Sequence, residues 1–222
     1  MSLLLLACNT NREEIGAAAQ NVRAEMPMVF LESGLHIVPE KLRRRLQSEI
    51  DGAGGNVSHI LFGFGFCGNA LVGLRSSDKT LVIPEVDDCI TLLLGSTARR
   101  IEINREGAYF LTRGWIDNRI TIWDEYQLCL QQYGEKKTRI IMQSMLGNYR
   151  RLVLLNTDLR DGGDWRETAE RMASVFSLEK VEITGTHTWI EKLLSGEWNE
   201  DFLVIPPGTE IELSMLLDMQ RK

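Results

Sequence analysis

Short apolar runs recur along the chain, and turn residues separate them. The runs with the length and composition of strands are 3–8 (LLLLAC), 28–31 (MVFL), 57–63 (VSHILFG), 80–84 (TLVIP), 151–155 (RLVLL), 179–184 (EKVEIT) and 202–205 (FLVI). Most of these runs are continuously apolar rather than alternating, which is typical of strands covered on both faces. The pattern therefore predicts a sheet in the middle layer of the fold.

Helical patterns lie between the predicted strands. Asp164 and Glu167 form a predicted capping box before an apolar stripe with helical spacing. Thr188 and Glu191 repeat this pattern, and Gly196 stands where a helix-ending glycine is expected. Strands that alternate with helices predict an α/β fold with a parallel, Rossmann-like sheet.

The centre of the chain has a different pattern. Residues 115–148 contain no comparable apolar run and predict two helices separated near Tyr133-Gly134. We interpret this segment as a crossover between two lobes of ordinary domain size. The predicted lobes are residues 1–113, which carry three of the cysteines, and residues 114–222.

Composition and charge exclude several classes of protein. The hydrophobic fraction of 44% and the charged fraction of 25% are those of a folded globular chain. The net charge is −6, and the basic run at residues 41–45 lies in an amphipathic helical pattern, so we do not expect nucleic-acid binding. No segment approaches the roughly 20 apolar residues of a membrane span, and the apolar start is too short for a signal peptide. We expect a cytoplasmic protein with reduced cysteines.

Three cysteines follow predicted strands at their carboxyl ends. Cys8, Cys67 and Cys89 come after the first, third and fourth strands, and His36 comes after the second. Because the carboxyl ends of parallel strands share one edge of a sheet, we expect these side chains to face one crevice. Three thiolate ligands that leave the fourth coordination position of the metal open are typical of zinc, iron or an iron–sulfur cluster. The alternative is that these cysteines are buried as small apolar groups, the role that we predict for Cys129.

Cys89 also lies in the first turn of a predicted helix that begins at Asp87-Asp88. A helix N-terminus favours a thiolate, whereas the two carboxylates oppose it. Asp88 is a candidate for a ligand contact or for acid–base work, and helix capping is its structural alternative. Ser96, in a later loop, is a further candidate for contact with a bound molecule.

The segment HILFGFGFCGNALVGL contains a G-x-G-x-x-G pattern at Gly63, Gly65 and Gly68. A nucleotide-binding loop requires a helix after the glycines, predicted here over 69–76, and an acid after the next strand, for which Glu85 is the candidate. The short helix, its internal Gly73 and the bulky phenylalanines at positions 64 and 66 count against a nucleotide. We therefore favour a turn that presents Cys67.

Several longer motifs resemble the DUF1638 family over nearly the whole chain. They are 65–69 (GFCGN), 84–90 (PEVDDCI), 92–96 (LLLGS), 109–115 (YFLTRGW), 147–151 (GNYRR) and 202–208 (FLVIPPG). The family has no established activity. The resemblance implies a role in or beside corrinoid-dependent methyl transfer and one-carbon metabolism, with a corrinoid protein or methyltransferase as partner.

The sequence thus supports one leading hypothesis and two alternatives. The leading hypothesis is a protein that binds zinc, iron or an iron–sulfur cluster through Cys8, Cys67, Cys89 and His36. The first alternative is an enzyme that binds a nucleotide or S-adenosylmethionine at residues 63–68. The second is a non-catalytic partner of a corrinoid protein. A small-molecule ligand is compatible with each.

Overall fold

Strands and helices alternate along most of the chain in this computed structural model, which describes residues 2–159 and 165–219. The strands are β1 (Leu3–Cys8), β2 (Met28–Leu31), β3 (His59–Gly63), β4 (Thr80–Pro84), β5 (Ala108–Leu111), β6 (Arg151–Asn156), β7 (Glu179–Thr184) and β8 (Phe202–Ile205). The helices are α1 (Arg12–Val22), α2 (Pro39–Gly52), α3 (Cys89–Leu94), α4 (Thr97–Asn104), α5 (Arg113–Asp117), α6 (Ile122–Leu146), α7 (Trp165–Phe176), α8 (Thr188–Ser195) and α9 (Leu213–Met219). The predicted mixed α/β architecture is confirmed.

The chain forms two compact units. The first comprises Met1–Gly95 together with Thr186–Lys222, and the second comprises Ser96–Gly185. The chain thus leaves the first unit after α3 and returns to it before α8. These two cuts differ from the single boundary predicted after residue 113, because β8 pairs with β4 and so joins the end of the chain to its first part.

The first unit contains a five-stranded sheet in the order β2-β1-β3-β4-β8. The first four strands are parallel, and β8 is antiparallel to β4 at the edge. Alternate residues of β1 point to opposite faces of the sheet, and Leu4, Leu5, Leu6 and Ala7 are all buried. Helices therefore cover both faces of this sheet, as the continuous apolar runs predict.

Each face of this sheet has its own helical cover. The apolar stripe of α2, formed by Leu42, Leu46 and Ile50, packs with Leu6 and Phe62 in one core cluster. Its basic residues lie on the solvated side of the helix, where Glu40 pairs with Arg43 and Arg44, and Arg45 pairs with Glu49. The interpretation of the basic run as a solvated helix face is confirmed.

The second unit contains a three-stranded parallel sheet in the order β5-β6-β7. Its core includes Leu152 and Leu154 from β6, together with Trp165, Ala169 and Met172 from α7. Cys129 is buried in the same cluster, as predicted. The long helix α6 is interrupted at Gly134, whose φ of 70° and ψ of 171° are not helical. The predicted separation into two helices near Tyr133-Gly134 is therefore confirmed.

Other local predictions need correction. The helix predicted over residues 69–76 is wrong, because this stretch forms a series of turns in which Asn69 and Gly73 have φ values of 67° and 87°. Left-handed residues cannot continue a right-handed helix. The sequence pattern also missed β5.

Two predicted capping boxes have different outcomes. The prediction that Thr188 caps helix α8 is wrong, because Thr188 is the first residue of the helix and His187 is the cap residue. The hydroxyl of Thr186 accepts a hydrogen bond from the Thr188 backbone N–H at 3.1 Å instead. Gly196 ends this helix in the left-handed conformation, as expected. The box at Asp164 lies outside the described residues.

Substitution of Gly65 tests how closely the loops at the carboxyl edge of the first sheet are packed. A Cβ at this position would lie 2.3 Å from the Val86 carbonyl oxygen, so we expect Gly65→Ala to destabilise the protein by about 1–3 kcal/mol through overpacking. The matched control is Gly52→Ala at the end of α2, where a Cβ meets no atom within 4 Å. Urea unfolding of the two variants measures the difference. Equal stability of both variants would contradict the close approach.

Candidate functional site

The strand order places a binding crevice between β1 and β3. The chain passes from β1 to β2 on one side of the sheet, whereas β3 and β4 continue on the other side. Ligands of open α/β sheets bind outside the carboxyl ends of the strands at such a reversal. Cys8 is the last residue of β1, and Cys67 lies in the loop that follows β3. Two of the predicted thiols therefore flank the crevice.

Three of the predicted metal ligands line one small cavity at this point. Its lining consists of Cys8, Leu31, Glu32, Leu35, His36, Leu42, Phe64 and Cys67. Its volume of about 20 Å³ is enough for one water molecule, which needs roughly 10–15 Å³. This space is far below the roughly 300 Å³ of the smallest typical small-molecule pockets. The cavity is therefore too small for a nucleotide.

Buried polar residues follow Cys8 directly. The Thr10 hydroxyl lies 3.0 Å from the Cys8 sulfur and donates a hydrogen bond to it. Thr10 and the neighbouring Asn11 are 3% and 0% exposed. A hydrogen bond to a sulfur fixes the direction of the side chain. Sequence reasoning missed Thr10, although its place two residues after a strand-end cysteine is a signal for such a contact.

The loop that carries Cys67 is held by the loop that follows β4. The backbone N–H groups of Phe66 and Cys67 donate to the carbonyl oxygens of Val86 and Asp87, at 2.9 and 3.0 Å. Gly65 permits this approach, because any side chain there would collide with Val86. These bonds tie the loop after β3 to the loop after β4 and hold the Cys67 backbone beside the end of β4.

The Cys67 backbone is strained. Its φ is 47°, a left-handed value that only glycine adopts without penalty. The two following residues, Gly68 and Asn69, also have positive φ values of 66° and 67°. For a residue other than glycine, this conformation costs of the order of 1–3 kcal/mol, and such outliers concentrate at functional sites. The turn expected to present a thiol is thus present, with Cys67 at its strained position.

The environment of Cys67 disfavours its thiolate. Burial raises the pKa of the Cys67 thiol to about 12, and negative charge at Cys8 and Asp88 contributes to this increase. The thiol therefore stays protonated at neutral pH unless a cation replaces the proton.

His36 belongs to a short 3-10 turn, Leu35–Ile37, that follows β2. It is exposed at the mouth of the cavity. Partial desolvation of the ring lowers the pKa of His36 below its usual value, so the imidazole is neutral at pH 7. The neutral ring is the form that binds metal ions.

Cys89 is the first residue of α3, as predicted. Asp88 caps this helix, since its carboxylate accepts hydrogen bonds from the Thr91 backbone N–H and hydroxyl, both at 2.7 Å. The capping role proposed as the structural alternative for Asp88 is thus confirmed. Cys89 is not among the residues that line the cavity with Cys8 and Cys67. Its part in a metal site stays a prediction.

The residues proposed for cofactor binding are distributed over several places. Gly63 packs against Ala7 and Ile15, and a Cβ there would lie 3.0 and 3.1 Å from their side chains. No helix follows the glycines anywhere between β3 and β4, a stretch that is fully described. The loop therefore lacks the helix N-terminus on which a dinucleotide phosphate would rest.

Two further candidates have structural roles. Glu85 follows β4 and donates its backbone N–H to the Asp201 carbonyl oxygen at 2.8 Å. Ser96 lies in the second unit and caps α4 by accepting a hydrogen bond from the Arg99 N–H. Contact of either side chain with a ligand stays a prediction.

The side chains at the cavity do not form a complete ligand set as they stand. Within the described residues, no group of three or more His, Cys, Asp or Glu side chains is placed to hold a metal ion. Sequence reasoning also missed Glu32, which lines the cavity next to the end of β2. Glu32 lies 3.6 Å from Arg45 and is 68% exposed. Two thiols, an imidazole and a carboxylate therefore line the same small cavity.

Residues 30–194 match the family model described as protein of unknown function DUF1638. No curated protein and no solved structure matches the chain. Among the described helices, none is both long enough and apolar enough to cross a membrane.

The raised pKa of Cys67 has a direct consequence for its reactivity. A pKa of about 12 instead of 9 reduces the thiolate fraction about a thousandfold, and the thiolate is the form that alkylates. We expect Cys67 in the metal-free native protein at pH 8 to react with iodoacetamide at least about a hundredfold more slowly than in urea. Peptide mass spectrometry measures both rates. Native and urea rates within tenfold of each other would contradict the assigned environment.

Proposed function

Since the chain belongs to the DUF1638 family, which has no assigned activity, we propose its function from the site itself. The protein binds a single zinc or iron ion through Cys8, Cys67 and His36, and it acts beside corrinoid-dependent methyl transfer. The observation that carries the metal proposal is that these three side chains line one cavity of single-ion size. The link to methyl transfer is supported by the family resemblance alone.

The types of ligand support zinc or iron. Two sulfurs and one imidazole nitrogen are typical ligands for these ions, and three protein ligands leave a position for an external molecule. A zinc ion held in this way acts as a Lewis acid that activates a bound thiol or water. The cavity volume of about 20 Å³ favours one ion over a multi-atom iron–sulfur cluster.

The residues around the cavity prepare the thiols and the ring for this role. Thr10 directs the Cys8 sulfur, the neutral His36 offers a lone pair, and Leu42 and Phe64 form an apolar wall. Binding requires the exposed His36 ring to turn toward the two sulfurs. Rotamer changes of exposed side chains take picoseconds to nanoseconds, so the ring can turn much faster than a metal ion binds.

The nucleotide alternative has no observation in its favour. The glycines at positions 63 and 65 serve close packing, and the loop precedes turns instead of a helix. The partner alternative is compatible with the metal proposal, because a metal protein can also dock a corrinoid protein. Gel filtration of an equimolar mixture with a corrinoid protein in the Co(I), Co(II) and methyl-Co(III) states tests that part separately.

Metal content is the direct test of the site. Protein purified without air is expected to hold about one equivalent of zinc or iron, and Cys8→Ser, Cys67→Ser and His36→Ala are each expected to lower the content by about tenfold or more. Cys129→Ser, in the core of the second unit, is the matched control and should keep the metal. Elemental analysis measures the content, and thermal unfolding verifies that each variant is folded.

Three results decide between versions of the site. Full metal content in folded Cys8→Ser and Cys67→Ser variants would exclude the site. Loss of metal in Cys89→Ser would add the third thiol to the ligand set. Detection of sulfide together with iron, and of a broad visible absorption band, would indicate an iron–sulfur cluster instead of a single ion.

The affinity for the metal should rise with pH. Metal binding must displace the proton of Cys67, whose pKa is about 12, so the apparent association constant should increase about tenfold or more per pH unit between pH 6.5 and 8.5. Protons compete at low pH and are lost as the pH rises, which gives the positive slope. Competition with a chromophoric chelator at several pH values measures it. A constant affinity over this range would show that Cys67 is not a ligand.

A further inference from the structure

A second and much larger cavity lies in the second unit. Its volume is about 860 Å³, within the roughly 300–1,000 Å³ of small-molecule sites. It is formed at the amino ends of β6 and β7, where Tyr149 and Arg150 precede one strand and Phe176 and Ser177 precede the other. The general rule places ligands of parallel sheets at the opposite, carboxyl edge, so that rule does not predict this cavity.

The break in α6 makes this cavity. Tyr126 and Leu146 both line it, although they are 20 residues apart in the chain. In a straight helix these residues would be separated by about 30 Å, too far for one cavity. The non-helical backbone at Gly134 redirects the helix, so both halves contribute to the wall.

The interior of the cavity is apolar and aromatic. Met142 and Leu146, which are 5% and 8% exposed, contribute buried apolar surface. Tyr126 and Phe176 meet edge to face with ring centroids 5.5 Å apart, and Tyr149 packs in the same way on Tyr109 at 5.7 Å. Interlocked rings form rigid walls, against which a flat apolar group can lie.

The polar groups of the cavity favour an anion. Arg139 forms no ion pair within residues 2–159 and 165–219, although Glu135 is four positions before it. Arg150 donates through Nη1 to the carbonyl oxygens of Gly147 and Tyr149, at 3.0 and 3.2 Å, which holds its guanidinium at the cavity. Its Nε and Nη2 groups remain as donors, and a guanidinium binds carboxylate, sulfonate or phosphate oxygens in pairs.

We propose that this cavity is a binding site for a small organic anion with a flat apolar body. The rings of Tyr126, Tyr149 and Phe176 contact the apolar body, and Arg139 and Arg150 bind the acidic group. Glu135 and Gln143 at the rim accept hydrogen bonds from donors on the ligand. This site is independent of the thiols of the first unit and does not depend on the metal proposal.

The experiment uses two dyes that differ only in an anionic group. Anilinonaphthalene sulfonate carries the acid, and N-phenyl-1-naphthylamine has the same rings without it. The full-length protein is titrated with each dye, and fluorescence gives the Kd. We expect Arg139→Ala and Arg150→Ala each to raise the Kd of the sulfonate about tenfold, the loss of one hydrogen-bonded ion contact. The Kd of the neutral dye should change less than about twofold.

Control variants separate the cavity from the rest of the surface. Arg171→Ala removes an exposed arginine that pairs with Glu167 on α7, and it should leave both Kd values unchanged. Val175→Trp places a large side chain in the cavity lining and should weaken both dyes. Circular dichroism verifies that the variants remain folded.

The proposal is overturned by any of three results. The first is that the unmodified protein fails to bind the sulfonate. The second is that the folded Arg139→Ala/Arg150→Ala double variant binds it with an unchanged Kd. The third is that Val175→Trp weakens the binding of neither dye. None of these results bears on metal binding by Cys8 and Cys67, so the two proposals fail separately.

Discussion

The carboxyl edge of the first unit depends on the pairing of two loops. The backbone hydrogen bonds from Phe66 and Cys67 to Val86 and Asp87 join the loop after β3 to the loop after β4. No helix lies between these strands to support the loop after β3. The close approach at Gly65 therefore holds the Cys67 thiol at the same edge as Cys8. The left-handed strain at Cys67 persists because this pairing outweighs it.

The chemistry of the thiol site follows from its placement. Burial keeps Cys67 protonated, and Thr10 directs its hydroxyl to Cys8, so the two sulfurs at the edge differ in their surroundings. In the proposed metal site, a cation would replace the proton of Cys67 and would offset the cost of desolvating its thiolate.

The cavities of the two units lie at opposite edges of their sheets. In the first unit the candidate site lies at the carboxyl ends of β1 and β3, as the general rule for α/β sheets predicts. In the second unit the large cavity lies at the amino ends of β6 and β7. Residues from both sides of the break at Gly134 line this second cavity.

The sequence by itself determined the alternation of strands and helices, the break near Gly134, the solvated basic face of α2 and the placement of Cys8, His36 and Cys67 at strand ends. These features follow from local periodicity and from turn chemistry, which each segment carries alone. Only the tertiary structure decided that Cys89 does not line the cavity, that Gly63 and Gly65 serve packing, and that the stretch after Gly68 forms turns instead of a helix. These outcomes depend on contacts with Ile15, Val86 and other residues distant in the chain, and no local pattern contains them.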